Sequence, residues 1–404
     1  MPQPLTTTLT RQLSPSLLRS EVDMKVAKIR PSCTPLDQIS RLIGSRRAKS
    51  MRVEYYSVET KEGHDNVAKD IRDLIVSSGR TFEVEVKTPG LFSVTETVLI
   101  PSVTIPSGPY KGQDLVAYVD SIADSKLKLI PVNIGPDVVD LSIGSLSAGE
   151  TIIRMGRAAR ELDVQTTLFT AIPRKDYNFC QIFKTQIEQS QLQRLADKEV
   201  GWEMTDQEEV AVMDMRMGME KSFLFGARSR VCLGDTADEV FFTGGIWNQT
   251  DHTYFYDHSQ APRDETANLS QAAFSGKGGT TKKVLLAGSE LLKYLSRDPD
   301  VSVINSEGKE TVYDIDFNVI NTRYGKLYVH YSEVFDLCGK ADCGIVIDPN
   351  YITKYSHIPF STNEISFRKQ GVRNTDALVL TEASCLVLRH PDVHLRIEPA
   401  KAQL

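Results

Sequence analysis

The chain has 404 residues, 41% of them apolar and 25% charged, with a net charge of −6. That is ordinary composition for a globular chain, with length for two core-bearing domains or one elaborated domain with long arms. No run of eighteen apolar residues occurs, which excludes a transmembrane helix, and the opening MPQPLTTTLTRQLSPSLL lacks the charged-then-apolar order of a secretory signal.

The charge is unevenly placed. Residues 1–52 hold ten Lys or Arg against three acids, a balance of +7, while the remaining 352 residues hold 37 basic and 50 acidic side chains, or −13. A basic arm ahead of an acidic body reads as an interaction tail. Arg41, Arg46, Arg47 and Lys49 are its candidate contact residues, for nucleic-acid phosphates or for the acidic surface of a neighbouring copy. A solvated, flexible arm is the plainer alternative.

In chain order, residues 1–20 are rich in Thr, Ser, Pro and Gln, and LDQISRLI at 36–43 predicts a short amphipathic helix. Strands follow at 52–58, 81–87 and 95–105, with a helix expected over 65–78 and closed by Gly79. The Gly- and Pro-punctuated alternation over 80–135 reads as a projecting hairpin more than as a core sheet. The body is expected to begin near Leu146, with a strand running into a helix over 147–163 and then the strand NFCQIF.

After a polar turn comes the most distinctive element. Thr205, Asp206, Gln207 and Glu208 form a capping-box sequence, and no proline interrupts the run to Arg228. A helix of about six turns, roughly 35 Å, is expected. Val210, Met213, Met217 and Leu224 lie on one stripe, and Val212, Met215, Met219 and Phe223 widen it; Asp214, Arg216, Glu220 and Lys221 keep part of the girth polar, with Arg216 and Glu220 at i,i+4 spacing. The Met-rich face reads as packing rather than as a ligand surface.

Residues 244–345 read as an α/β unit: a loop and strand at 244–257, a short helix at 265–274, a strand entering a helix over 282–297, and a hairpin over 311–332 turning at Asn321–Gly325. The last 55 residues return to strands. Candidate chemistry is sparse. SGKGGTTKK at 275–283 is glycine-rich, but its glycines precede the next strand, whereas a phosphate cradle needs strand, loop, then helix N-terminus. His252 and His258 share a strand face about 20 Å apart, too far for one metal ion. Cys338 and Cys343 form a lone C-x4-C without a second pair, and Cys180 and Cys385 lie in apolar strand patterns as buried free thiols. No metal, cofactor or catalytic set is therefore expected.

The run NFCQIF, DKEVGW and QEEVAVMDMRMGMEKSFLFG over 178–226 resembles the spine-helix region of tailed-bacteriophage major capsid proteins with the Hong Kong 97 fold, in a lineage of phages of Bacteroidetes-type bacteria. GKLYVHYSEVFD, CGIVIDPNYITKYSHIPF and FRKQGVRNTDALVLTEASCLVLRHPDVHLRI over 325–397 resemble the closing strands of the same proteins. The resemblance implies an α+β fold with an N-terminal arm (1–51), an enlarged extended loop or E-loop (52–135), a peripheral domain (136–243) whose spine helix spans 205–229, an axial domain (244–345) and shared closing strands (346–404). It further implies a structural role in the virion: self-assembly as hexamers and pentamers into an icosahedral shell around double-stranded DNA. Portal, scaffold or decoration proteins would be further partners, with no membrane contact. Synthesis in the bacterial cytoplasm and an uncleaved N-terminal arm are expected. An encapsulin-like protein compartment is the alternative shell, and an enzyme using loop 275–283 on a phosphorylated ligand is the alternative chemistry.

Overall fold

The computed structural model describes residues 34–58, 62–159, 161, 173–196, 203–232, 238–258, 262, 264–275, 279–298 and 309–400. They fall into two compact units, one over Val58–Arg174 and one built from the chain on either side of it.

The larger unit opens with helix α1 (Pro35–Ile43), the expected amphipathic helix, with Leu36 and Ile39 fully buried. Strands β1 (Ser45–Arg47) and β2 (Arg52–Ser57) follow.

The smaller unit carries β3 (His64–Asn66), β4 (Ile75–Val76), β5 (Phe82–Glu85), β6 (Glu96–Thr104), β7 (Asp114–Ala123), β8 (Lys126–Pro131), β9 (Leu141–Ser142) and β10 (Thr151–Arg157). Six of them form a sheet in the order β3-β10-β6-β7-β8-β5. Its two edges meet. Val67 bridges Val86, and Ala68 N–H donates to the Glu85 carbonyl at 2.8 Å while Lys87 N–H donates to Asn66 at 3.1 Å. The sheet is thus closed on itself, which removes the exposed edges that an open sheet would carry. Val84, Val98, Ile100, Leu115, Ala117, Val119, Leu127, Leu129 and Ile152 fill its interior. The expectation of a projecting hairpin over 80–135 is corrected here: the alternation arises because every second residue points into this closed core. The unit also runs past residue 146, because β10 pairs with both β6 and β3.

No helix forms over 65–78. Ile71 N–H donates to the Leu146 carbonyl and Leu74 N–H to the Gly144 carbonyl, so a neighbouring extended segment takes donors that a helix would have used. Asp73, at φ 108°, also leaves the helical region. Tertiary pairing has overridden a local pattern. The helix expected at the end of 147–163 falls largely on residues outside those described.

The larger unit resumes with β11 (Arg174–Phe179), paired with β2, and β12 (Gln181–Ser190). Short helix α2 (Gln191–Leu195) precedes the long helix α3 (Met204–Phe225). The cap of α3 differs from the expected one. Glu203 is the N-cap, its carboxylate accepting from the Asp206 N–H, while Asp206 accepts from the Glu203 N–H at 2.8 Å. Thr205 and Glu208 lie inside the helix. Its other end comes three residues before Arg228 because Gly226 and Gly245 cross closely, with Gly245 N–H donating to Gly226 at 2.8 Å. A Cβ on Gly245 would stand 2.4 Å from the Leu224 carbonyl, so only glycine fits.

Strands β13 (Ser229–Cys232) and β14 (Glu239–Phe242) form a hairpin. Helix α4 (Ile246–Gln249) replaces part of the loop expected ahead of the strand in 244–257. The α/β unit then matches its reading closely: β15 (Thr253–Tyr256), α5 (Glu265–Phe274), β16 (Lys282–Ala287), α6 (Ser289–Leu295), β17 (Lys309–Val312), β18 (Ile315–Asn321), β19 (Lys326–Tyr331) and α7 (Glu333–Leu337). Strands β20 (Gly344–Ile347), β21 (Ile352–Ser366), β22 (Thr375–Leu388) and β23 (Leu395–Pro399) close the chain.

Two sheets organise this unit. Four strands run in the order β1-β21-β22-β12, and seven in the order β15-β23-β20-β16-β19-β18-β17. In β16, Val284 and Leu286 join the core beneath α3, while Leu285 and Ala287 face α5 and α6. A strand buried on both faces reads as the continuous apolar run seen in KKVLLA. On α3 the deepest residues are Met215, Met219, Phe223 and Leu224. Val210, placed on the main stripe from sequence, is 44% exposed. The girth of α3 is apolar over two overlapping stripes, and periodicity alone does not say which one the sheet covers.

Candidate functional site

The described part of the larger unit is joined at one buried, charged junction. Asp37 on α1, Arg216 on α3, Lys354 on β21 and Glu382 on β22 form a closed ring of alternating charge. Lys354 Nζ lies 2.9 Å from Asp37 Oδ1 and 2.9 Å from Glu382 Oε1. Arg216 Nη1 lies 3.1 Å from Glu382 Oε2 and 3.3 Å from Asp37 Oδ2. Asp37 is wholly buried, and Lys354 and Glu382 are 3% exposed. Within the ring each carboxylate therefore meets two cations, and each cation two carboxylates. That satisfaction is what makes burial of four charges tolerable. Ser384 Oγ adds a donor to Glu382 at 2.9 Å, and the Arg216 guanidinium lies 4.8 Å from the Phe360 ring centre.

Glu220, one turn along α3 from Arg216, is also fully buried. Its two oxygens accept from the N–H groups of Leu36 at 2.8 Å and Asp37 at 2.7 Å, at the start of α1. These are donors that a helix N-terminus leaves unpaired, and the Thr34 side chain does not cap them. A side chain 184 residues away in sequence thus supplies the cap. Burial pushes the Glu220 carboxyl up to about 8, outweighing the two N–H groups, which pull it down; the nearby Asp37 charge adds to the rise. The i,i+4 pair expected between Arg216 and Glu220 is corrected: Arg216 serves the ring, and Glu220 serves α1.

The candidate contact residues separate. The Arg41 guanidinium is 3.1 Å from Asp37 Oδ2 and extends the junction to the surface, where it is half-exposed. Arg46 and Arg47 lie on β1, which pairs in parallel with β21, Arg46 opposite Tyr355 and Arg47 opposite Ser356. Both are exposed, as is Lys49. The structure therefore brings Arg46, Arg47 and Lys49 to one sheet edge and gives Arg41 a separate, structural partner.

Loop 275–283 follows the end of α5 and leads into β16, so it offers no helix N-terminus to a phosphate. Of its described residues, Thr280 donates to Asp348 Oδ2 through both N–H (2.7 Å) and Oγ1 (2.9 Å). Lys283, fully buried, donates to the carbonyls of Ala273 and Val393 at 2.7 Å. Among the described residues of the loop, Thr280 and Lys283 thus direct their donors to the protein's own acceptors. His252 pairs with Asp392 at 2.8 Å rather than with His258. Among the described residues no group of three or more His, Cys, Asp or Glu side chains is arranged to hold a metal ion.

Sequence reasoning missed the ring and the Glu220 cap. Their members stand at 37, 216, 220, 354 and 382, and no local spacing links them. The one available signal was Lys354 and Glu382 within strands that are otherwise largely apolar at their buried positions.

Comparison with known protein families places the chain among phage shell proteins. It belongs to the SU10 major capsid protein family, whose model matches residues 3–401. It is therefore a structural component of the virion capsid that assembles with copies of itself, and not an enzyme. No curated protein matches the sequence. Among solved structures, the chain is similar to one from Mycobacterium phage Ogopogo at 9% identity and a TM-score of 0.49, covering 98% of this chain and 100% of that one. It is similar to one from Mycobacterium phage Bobi at 9% identity and 0.44, covering 99% and 100%. A holo-SrpI encapsulin complex from Synechococcus elongatus is similar at 8% identity and 0.38, covering 57% and 77%. At such scores these likenesses do not choose between a phage shell and an encapsulin; the family match along nearly the whole chain does.

Proposed function

We propose that this capsid protein builds an icosahedral shell of hexamers and pentamers around double-stranded DNA in the manner of the Hong Kong 97 fold. In this reading α3 is the spine and the β1-β21-β22-β12 sheet the peripheral domain. The seven-stranded unit is the axial domain, and the closed sheet within 58–174 is an enlarged extended loop. The observation that carries the reading is the family match over residues 3–401, and the charge ring with its Glu220 cap fits it. The ring fastens α1, α3, β21 and β22 into one rigid piece, and a shell subunit needs rigid pieces so that many modest contacts add through multivalency.

Arg46, Arg47 and Lys49 would meet a negatively charged surface, either packaged DNA or the acidic body of a neighbour. The narrower tie to phages of Bacteroidetes-type bacteria rests on the sequence resemblance of 178–226 and 325–397 alone. A cryo-electron-microscopy reconstruction of assembled particles tests the arrangement. Seven-stranded units clustered about the capsomer axis would support it, and the same units at the capsomer periphery would overturn it.

A further inference from the structure

Strand β12 pairs with β22 in antiparallel register, Gln181 opposite Ser384 and Ile182 opposite Ala383. Continuing that register by one residue sets Cys180 opposite Cys385. The Cys180 N–H donates to the Met51 carbonyl at 2.7 Å instead of to β22, which leaves this cross-strand position without its own ladder bond. Opposed residues at such positions hold their Cα atoms about 4.5 Å apart, inside the roughly 4.4–6.8 Å span that a disulfide bridges. The two thiols are free, share an S–H···S contact of 3.6 Å and are both fully buried. Around them lie Val53, Tyr55 and Val387, and among the described residues no metal-holding group of three or more includes them.

We propose that Cys180 and Cys385 are a latent redox pair that closes to an intrasubunit disulfide when a peroxide reaches the virion outside its reducing host cytoplasm. Burial of both sulfurs shuts out a bulky disulfide such as oxidised glutathione, so the oxidant must be close to water in size. In the first step the Cys180 thiolate attacks one oxygen of hydrogen peroxide. The O–O bond breaks, the departing hydroxide takes up the thiol proton as water, and Cys180 becomes a sulfenic acid. In the second step the Cys385 sulfur attacks the sulfenic sulfur, the S–S bond forms, and the S–O bond breaks to release a second water that carries the Cys385 proton. Two thiols and one peroxide yield one disulfide and two waters.

The order of attack follows the hydrogen bonding. The contact from Cys385 lowers the Cys180 pKa, against the opposing effect of burial, while the same contact together with burial raises Cys385 well above an ordinary thiol. The bond would join positions 205 residues apart, and a cross-link closing so long a loop restricts the unfolded chain strongly.

The test uses the full-length protein carrying Cys33→Ser, Cys232→Ser and Cys338→Ser, which removes the two thiols exposed among the described residues together with the one at position 33. It is treated with hydrogen peroxide, alkylated after denaturation and digested for mass spectrometry. The expected result is a linked pair of peptides holding Cys180 and Cys385, two hydrogens lighter than their sum. A rise of several degrees in melting temperature should accompany it, and dithiothreitol should reverse both. Cys385→Ala should abolish the link and let dimedone, added as the protein is denatured, trap a sulfenic acid at Cys180; should that variant not fold, Cys180→Ser provides the same loss of link. Full recovery of both thiols as alkylated residues after peroxide treatment would overturn the proposal. So would a link that leaves the melting temperature unchanged or lowers it.

Discussion

Replacing Lys354 by Met keeps the length of the side chain but removes its charge from the ring. Lys354 lies 2.9 Å from both Asp37 Oδ1 and Glu382 Oε1, while Arg216 meets the other oxygen of each carboxylate. After the change, the buried set holds two carboxylates against Arg216 alone, with only the half-exposed Arg41 beside Asp37. Removing one partner of a buried ion pair costs about 3–5 kcal/mol, because the remaining charge stays dehydrated and uncompensated. Lys354→Met should therefore destabilise the larger unit by about 3–5 kcal/mol. The assay is urea unfolding of unassembled protein followed by tryptophan fluorescence, since Trp247 is buried in the core that also holds Met219 and Phe223. The double variant Lys354→Met/Glu382→Leu removes one charge of each sign and should recover part of the loss, giving an interaction energy of about 1–3 kcal/mol in the cycle. A loss below about 1 kcal/mol for Lys354→Met, or strict additivity in the cycle, would refute the claim that the ring acts as a unit.

Glu220 gives a pH signature. Its folded pKa of about 8 lies above the ordinary value of 4.5, so the folded state holds this proton after the unfolded state has released it. The stability linked to this group is complete below about pH 4.5 and is lost as pH rises toward 8. Glu220→Gln should flatten the fall in urea midpoint between pH 5 and 8, and parallel curves for variant and parent would contradict this. Deleting residues 1–50 strips Leu36, Asp37 and Ile39 from the core and should lower the melting temperature sharply, and Ile39→Ala alone should cost about 2–5 kcal/mol. An Ile39→Ala variant as stable as the parent would count against α1 as part of the body. Reversing Arg46, Arg47 and Lys49 to Glu should change folding stability by less than about 0.5 kcal/mol, yet reduce particle yield or DNA retention by about an order of magnitude at physiological salt. Normal, DNA-filled particles from that variant would remove these residues from the assembly role.

The sequence carried the local elements well where period and burial agree. Helix α1, the strand–helix pair at 282–295 and the hairpin turning at 321–325 all follow from it, since each buries one side against a nearby core. It was silent where long-range partners decide. The 65–78 segment has a helical pattern, but the backbone carbonyls of Gly144 and Leu146 take N–H groups from it and win. The closing of the smaller sheet depends on Val67 meeting Val86, a pairing that alternation cannot announce. Glu220 looked like a surface charge on α3, because nothing within its own helix reveals that α1 begins against it. The basic cluster was legible as a cluster, while the separate engagement of Arg41 with Asp37 depends on side-chain geometry at the junction.

The central claim is that this chain is a shell subunit whose rigid body assembles with copies of itself. Electron microscopy of the purified, full-length recombinant protein across a concentration series tests it most directly. Closed shells, tubes or isolated capsomer rings are the predicted result. A strictly monomeric species at high concentration, with no rings under any salt condition, would contradict it.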